Sequence, residues 1–121
     1  MTALVWLLAG ALGAGGAVGR VVLDGVVSRR TSGAMPWGTM TVNVLGAFAL
    51  GLLTGRGVDG DARLILAGGL IGAFTTFSTW MLETQRLLEE GWDAAAAANL
   101  GLSVALGIGA VGLGWWLGSL T

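Results

Sequence analysis

The residues able to do chemistry in this sequence are concentrated in one run, Phe74-Thr75-Thr76-Phe77-Ser78-Thr79-Trp80, where four hydroxyls and three aromatic rings occupy seven consecutive positions. Hydroxyls donate O–H bonds, and the edge of an aromatic ring carries the positive end of its quadrupole. Together they suit a small anion. A Ser or Thr in a helix commonly bonds back to its own backbone, which accounts for one or two of these hydroxyls but not comfortably for four. Gly68, Gly69 and Gly72 precede the run. If the segment lies in lipid, unwinding between Gly72 and Thr75 would release carbonyl oxygens, which is tolerable only where they line a cavity or meet an ion.

Other polar groups stand inside apolar surroundings. Thr39, Thr41 and Asn43 precede a wholly apolar stretch. Asn43 brings two N–H donors and one acceptor, either as interhelical glue or as a contact for an anion or water. Asn99 and Ser103 are four apart, on one helix face. Arg20 reads equally as a snorkelling interfacial anchor and as a functional cation. Glu83 follows Thr79 by one turn and belongs at a helix mouth. The chain has no histidine and no cysteine, so imidazole catalysis, thiol chemistry, disulfides and zinc sites are excluded. No constellation of base, nucleophile and metal ligands remains from which to build an enzyme. Arg29-Arg30 is the one adjacent basic pair, which is no footprint for nucleic acid.

The elements that must position these groups are set by composition. The chain is 55% hydrophobic and 11% charged, against roughly 25% charged for a soluble domain. Four apolar stretches, at about 3–23, 37–54, 64–82 and 94–117, each approach the roughly 20 residues that span a hydrocarbon core. Charges collect between them: Asp24, Arg29 and Arg30; Arg56, Asp59, Asp61 and Arg63; Arg86, Glu89, Glu90 and Asp93. Backbone polar groups in lipid must be paired internally, so the stretches are helices. Residues 1–121 read as one all-α integral membrane domain of four transmembrane helices, surrounded by membrane lipid. The first stretch lacks a basic region ahead of it and outruns a signal-peptide core, so it is expected to be a retained helix. Pro36 stands where a helix start tolerates it. The pairs Gly15/Gly19, Gly51/Gly55, Gly68/Gly72 and Gly114/Gly118 have the small-xxx-small spacing that lets helices approach closely. Four such helices enclose little by themselves, so function is expected to require an oligomer.

Three ordered motifs resemble those of the Fluc (CrcB) fluoride channels, small bacterial exporters of cytoplasmic fluoride. Gly15-Gly16-Ala17-Val18-Gly19-Arg20 is similar to the family's first-helix Gly-Gly and Arg motif. Gly38-Thr39-Met40-Thr41-Val42-Asn43-Val44-Leu45-Gly46 resembles its second-helix motif, and Gly72-Ala73-Phe74-Thr75-Thr76-Phe77-Ser78-Thr79-Trp80 its third-helix signature. The resemblance covers essentially the whole chain. It implies passive fluoride conduction in the bacterial inner membrane by an antiparallel, dual-topology dimer with a broken third helix. It implies a structural sodium ion held by the Gly72 and Thr75 carbonyls of both subunits. It implies two interfacial pathways lined by Asn43, Phe77, Trp80, Ser78, Thr79 and Ser103, with Glu83 matching an acidic mouth residue, and Arg20 and Thr39 are counted with the pathway residues. The partner is an identical chain or a paralogous one.

The sequence departs from the family pattern at Ala73, Phe74, Trp80 and Asn99. Trp80 stands for the second phenylalanine and adds an N–H donor and bulk. Asn99 stands where a tyrosine is usual. A small multidrug transporter has the same size and helix count, but such proteins exchange protons on a carboxylate within the first helix, and here no acid precedes Asp24. A non-transporting membrane subunit is the other alternative. Orientation in the membrane follows Lys and Arg in short loops. One side holds Arg29, Arg30 and Arg86, and the other Arg56 and Arg63. That near balance is the expectation for a chain that inserts both ways.

Overall fold

A computed structural model describes residues 2–121. All regular structure among them is helical. Helix α1 spans Ala3–Arg30 and is opened by Thr2, whose Oγ1 accepts from the Val5 N–H at 3.4 Å. Helix α2 spans Trp37–Gly55 and starts directly after Pro36, whose missing N–H costs nothing there. The third span is composite. A short α3 (Gly60–Arg63) leads into a π-helical stretch, Leu64–Ile71, and then α4 (Gly72–Phe74). The chain leaves helical geometry at Thr75 and resumes as α5 (Ser78–Glu89). Helix α6 spans Asp93–Ser119.

Two glycines terminate helices by the same device. Gly57 (φ 73°) follows α2, and Val58 N–H bonds Leu53 O while Gly57 N–H bonds Thr54 O, both at 3.0 Å. Gly91 (φ 81°) follows α5, with Trp92 N–H on Leu87 O and Gly91 N–H on Leu88 O. These are Schellman caps, which satisfy the last carbonyls and need a residue at ease with positive φ. They set the reversals between spans.

The α1, α2 and α6 helices and the composite Gly60–Glu89 span are each long and apolar enough to cross a membrane. They run past the apolar stretches, α1 ending at Arg30 and the third span at Glu89, because helical bonding continues into the interface where charged side chains meet headgroups. Few apolar side chains are buried, Val42, Met40 and Leu87 among them, whereas Leu7, Val18, Ile108, Leu113 and Trp116 are exposed. So wide an apolar surface is stable in lipid or against another subunit, not in water.

Packing is built on glycine. α2 and α6 form the most extensive contact. Cβ atoms added at Gly51 or Gly55 would overlap the carbonyls of Val111 or Trp115, and at Gly114 or Gly118 those of Phe48 or Leu52. The pairs Gly51/Gly55 and Gly114/Gly118 therefore face one another. The other close contact, α1 against the first half of the third span, has a different register from the spacing alone. Gly15 meets open space and Gly68 meets only its own Leu64, while Gly16 lies on the Leu70 carbonyl and Gly69 on the Ala9 backbone. Wider π turns rotate the side chains that follow them, which a strict four-residue spacing does not anticipate.

Candidate functional site

The break in the third span is made by a side chain from α2. Asn43 Oδ1 accepts the Thr76 N–H at 2.8 Å, and Asn43 Nδ2 donates to the Thr76 carbonyl at 2.9 Å. In an unbroken helix the Thr76 N–H would belong to the Gly72 carbonyl. One step on, Thr79 N–H donates to Thr76 Oγ1 at 3.2 Å instead of to the Thr75 carbonyl. Gly72 and Thr75 thus lose their helical donors through two separate diversions. Thr75 is extended (φ −81°, ψ 162°), and its Oγ1 donates back to Ile71 O at 3.1 Å. Its methyl enters a notch at Gly46, where any Cβ would overlap it. Gly72 itself remains helical, so the unwound residues are 75–77, after the glycine rather than at it. The reason is that Asn43 captures the chain at Thr76.

Three clefts meet around this segment. The first, about 190 Å³, is lined by Arg20, Val21, Asp24, Thr39, Thr76 and Thr79. The second, about 280 Å³, is lined by Asn43, Thr75, Thr76, Phe77 and Trp80 with apolar neighbours. The third, about 430 Å³, runs from Asn43, Trp80 and Ser103 along an apolar wall of α6 to Val111. Thr76 borders the first two, and Asn43 with Trp80 borders the last two. These shared walls link the clefts in series, and the sequence-derived pathway residues other than Ser78 and Glu83 line them. Arg20, Thr39 and Thr79 lie at one end, Asn43, Phe77 and Trp80 in the middle, and Ser103 beyond. Ser78 is exposed and pairs with Thr76 Oγ1 at 3.4 Å. Glu83 borders none of the three. It is partly buried beside Thr39, whose own side chain is buried. The Thr39 hydroxyl is the nearest donor for that carboxylate.

Thr76 is the residue that spacing did not single out. Its backbone holds Asn43, its hydroxyl donates to Thr79 Oγ1 at 3.2 Å, and it is the wall shared by two clefts. The density of hydroxyls around it was the available signal. Phe77 and Trp80 stack edge to face, with ring centroids 5.8 Å apart and planes at 80°. Phe77 is 70% exposed. The Trp80 N–H does not point along the clefts but donates to the Asn99 carbonyl at 3.2 Å.

No cluster of three or more acidic, His or Cys side chains exists among the described residues. A cation held at the break would meet carbonyl oxygens, those of Gly72 and Thr75 being among the ones that have lost helical donors. Carbonyl rings are a recognised means of replacing a monovalent cation's hydration shell, so the donor set fits sodium.

Fold and site together define a class: a four-span membrane protein whose third span is interrupted by a hydroxyl-rich, ring-flanked segment. Residues 7–115 match the family model described as CrcB-like protein, Camphor Resistance (CrcB). The chain belongs to the CrcB family. It is 44% identical to a protein of Mycobacterium bovis named fluoride-specific ion channel FluC 2, over 99% of this chain and 95% of that one. A protein of the same name from Mycolicibacterium paratuberculosis is 47% identical over 98% of both chains. One from Haloarcula marismortui is 49% identical over 89% of this chain and 88% of its own. The chain is a multi-pass membrane protein of a channel family and not an enzyme.

Proposed function

We propose that this chain conducts fluoride passively, as one subunit of a dimer whose pathways run along the subunit interface, and so exports fluoride from the cytoplasm. The observation that carries the reading is the succession of clefts sharing walls, lined by Arg20, Thr39, Thr79 and Thr76, then Asn43, Phe77 and Trp80, then Ser103. A small, strongly hydrated anion must exchange its water for fixed donors to enter lipid-surrounded protein. Hydroxyls, the free second N–H of Asn43 and ring edges offer that exchange without trapping the ion, as a conducting site requires. Arg20 at one end raises the local anion concentration.

Phe77, which lines one of the clefts, stands largely uncovered, which supports completion by a second subunit. The balanced loop charges support an antiparallel, dual-topology pair. The freed Gly72 and Thr75 carbonyls support a structural sodium ion at the break, with both subunits contributing oxygens. The number in the relatives' name, FluC 2, supports a paralogous partner beside an identical one.

The test is fluoride-electrode efflux from proteoliposomes of this chain alone, with a potassium ionophore supplying countercharge. Rapid emptying is expected, and Phe77→Ile is expected to slow it severely while leaving the dimer intact. Emptying no faster than protein-free liposomes, from a folded dimeric sample, would defeat the reading for the homodimer.

A further inference from the structure

We infer that Trp80 is a positioning residue of the anion path, fixed by a closed ring of hydrogen bonds between α5 and α6. The inference rests on the fluoride-channel reading and goes beyond it by assigning the indole N–H a task other than meeting the ion. Three bonds close the ring. Trp80 Nε1–H donates to the Asn99 carbonyl at 3.2 Å, Asn99 Nδ2 donates to Thr84 Oγ1 at 2.9 Å, and Thr84 Oγ1–H donates to the Trp80 carbonyl at 2.8 Å. Asn99 is 1% exposed and Thr84 is also buried, so water does not compete for these groups. In low dielectric a fully satisfied network rigidifies what it joins.

The object it holds is the Trp80 ring, which borders both the cleft containing Phe77 and the cleft containing Ser103. Phe77, exposed to a pathway or a partner, has the Trp80 ring as its edge-to-face neighbour. The geometry gives each half of the indole its own role. The N–H is engaged by α6, and the ring sets the angle of Phe77. An indole N–H free in the cleft would be a strong donor for larger anions too; engaged on a carbonyl, it leaves only carbon edges facing the path.

The test joins flux to a spectroscopic readout. Thr84 borders none of the clefts, and Thr84→Val keeps its shape while removing two bonds of the ring. Efflux from proteoliposomes is expected to fall about tenfold in Thr84→Val with the dimer retained, and Thr84→Ser to restore it to within about twofold. The Trp80 indole ¹⁵N–H resonance is identified by its loss in Trp80→Phe. It is expected to exchange slowly with deuterium, to stay unmoved by sodium fluoride, and to exchange faster in Thr84→Val. A saturable shift of that resonance with fluoride would overturn the inference, since the N–H would then serve the ion. Wild-type flux and unaltered exchange in Thr84→Val would overturn it as well. A wild type with a protected indole but no flux removes the channel reading, and with it the path that Trp80 is said to position.

Discussion

The side-chain amide of Asn43 pairs with both backbone groups of Thr76, as a neighbouring strand would, and this pairing is what interrupts the third span. An asparagine in α2 thus determines the backbone of another span. Removing it exposes a peptide N–H and a carbonyl at membrane depth, each costing about 1–3 kcal/mol if left unpaired.

Asn43→Ala is therefore expected to damage conduction by releasing the break as well as by losing a donor. Amide exchange at Thr76 should accelerate in that variant while amides of α2 and α6 remain protected. Unchanged exchange at Thr76, with flux lost, would assign Asn43 to the ion alone.

Gly46 and Thr75 make a rescue experiment. A Cβ at Gly46 overlaps Thr75 Cγ2, so Gly46→Ala should disturb the break at about 1–3 kcal/mol, the usual scale of overpacking. Thr75→Ser deletes that methyl and keeps the hydroxyl on Ile71, and alone it should be mild because the carbonyl is untouched. The double variant Gly46→Ala/Thr75→Ser should recover most of the flux lost in Gly46→Ala. Equal losses with and without the serine would mean the notch is unimportant.

Gly72 separates folding from assembly. Within one chain its added Cβ comes no nearer to a neighbour than 3.4 Å, to the Ala67 carbonyl. Gly72→Leu should leave helix content intact while dissociating the dimer and abolishing any sodium dependence of its stability, measured by size exclusion with and without sodium. A full-strength dimer carrying leucine there would refute a shared cation site.

Dual topology is tested at the second loop. Val58→Cys, in a chain with no other cysteine, should be labelled to about half by a membrane-impermeant thiol reagent in intact cells if insertion runs both ways. Two or three added Lys on one side should drive labelling toward all or none. Complete or absent labelling in the unmodified background would shift weight to a fixed-orientation or paralogous pair.

The four helices were legible because lipid leaves one solution for long apolar stretches, and the break was legible from the crowding of Gly72 and four hydroxyls. Its position was not. Spacing placed it between Gly72 and Thr75, whereas Asn43, distant in sequence, moves it to residues 75–77. The α2–α6 glycine pairs were readable at four-residue spacing, but Gly69 was not, because it lies in π turns, and nothing in the run Gly15-Gly16 told which of the two faces the third span. Trp80 was visible as an added donor, while its acceptor, a backbone carbonyl on α6, carries no side-chain signature.

The two halves of the broken span are anchored to different neighbours. Its π-helical half lies against α1 and its second half, α5, against α6. Residues 75–77 join these two attachments, and α2, which touches both halves, holds the joint through Asn43. A shift of α1 relative to α6 must therefore be taken up across α2 and at these unwound residues. Thr76, at the centre of that joint, walls both the cleft of Arg20 and the cleft of Phe77, so a change in helix spacing alters the two clefts together.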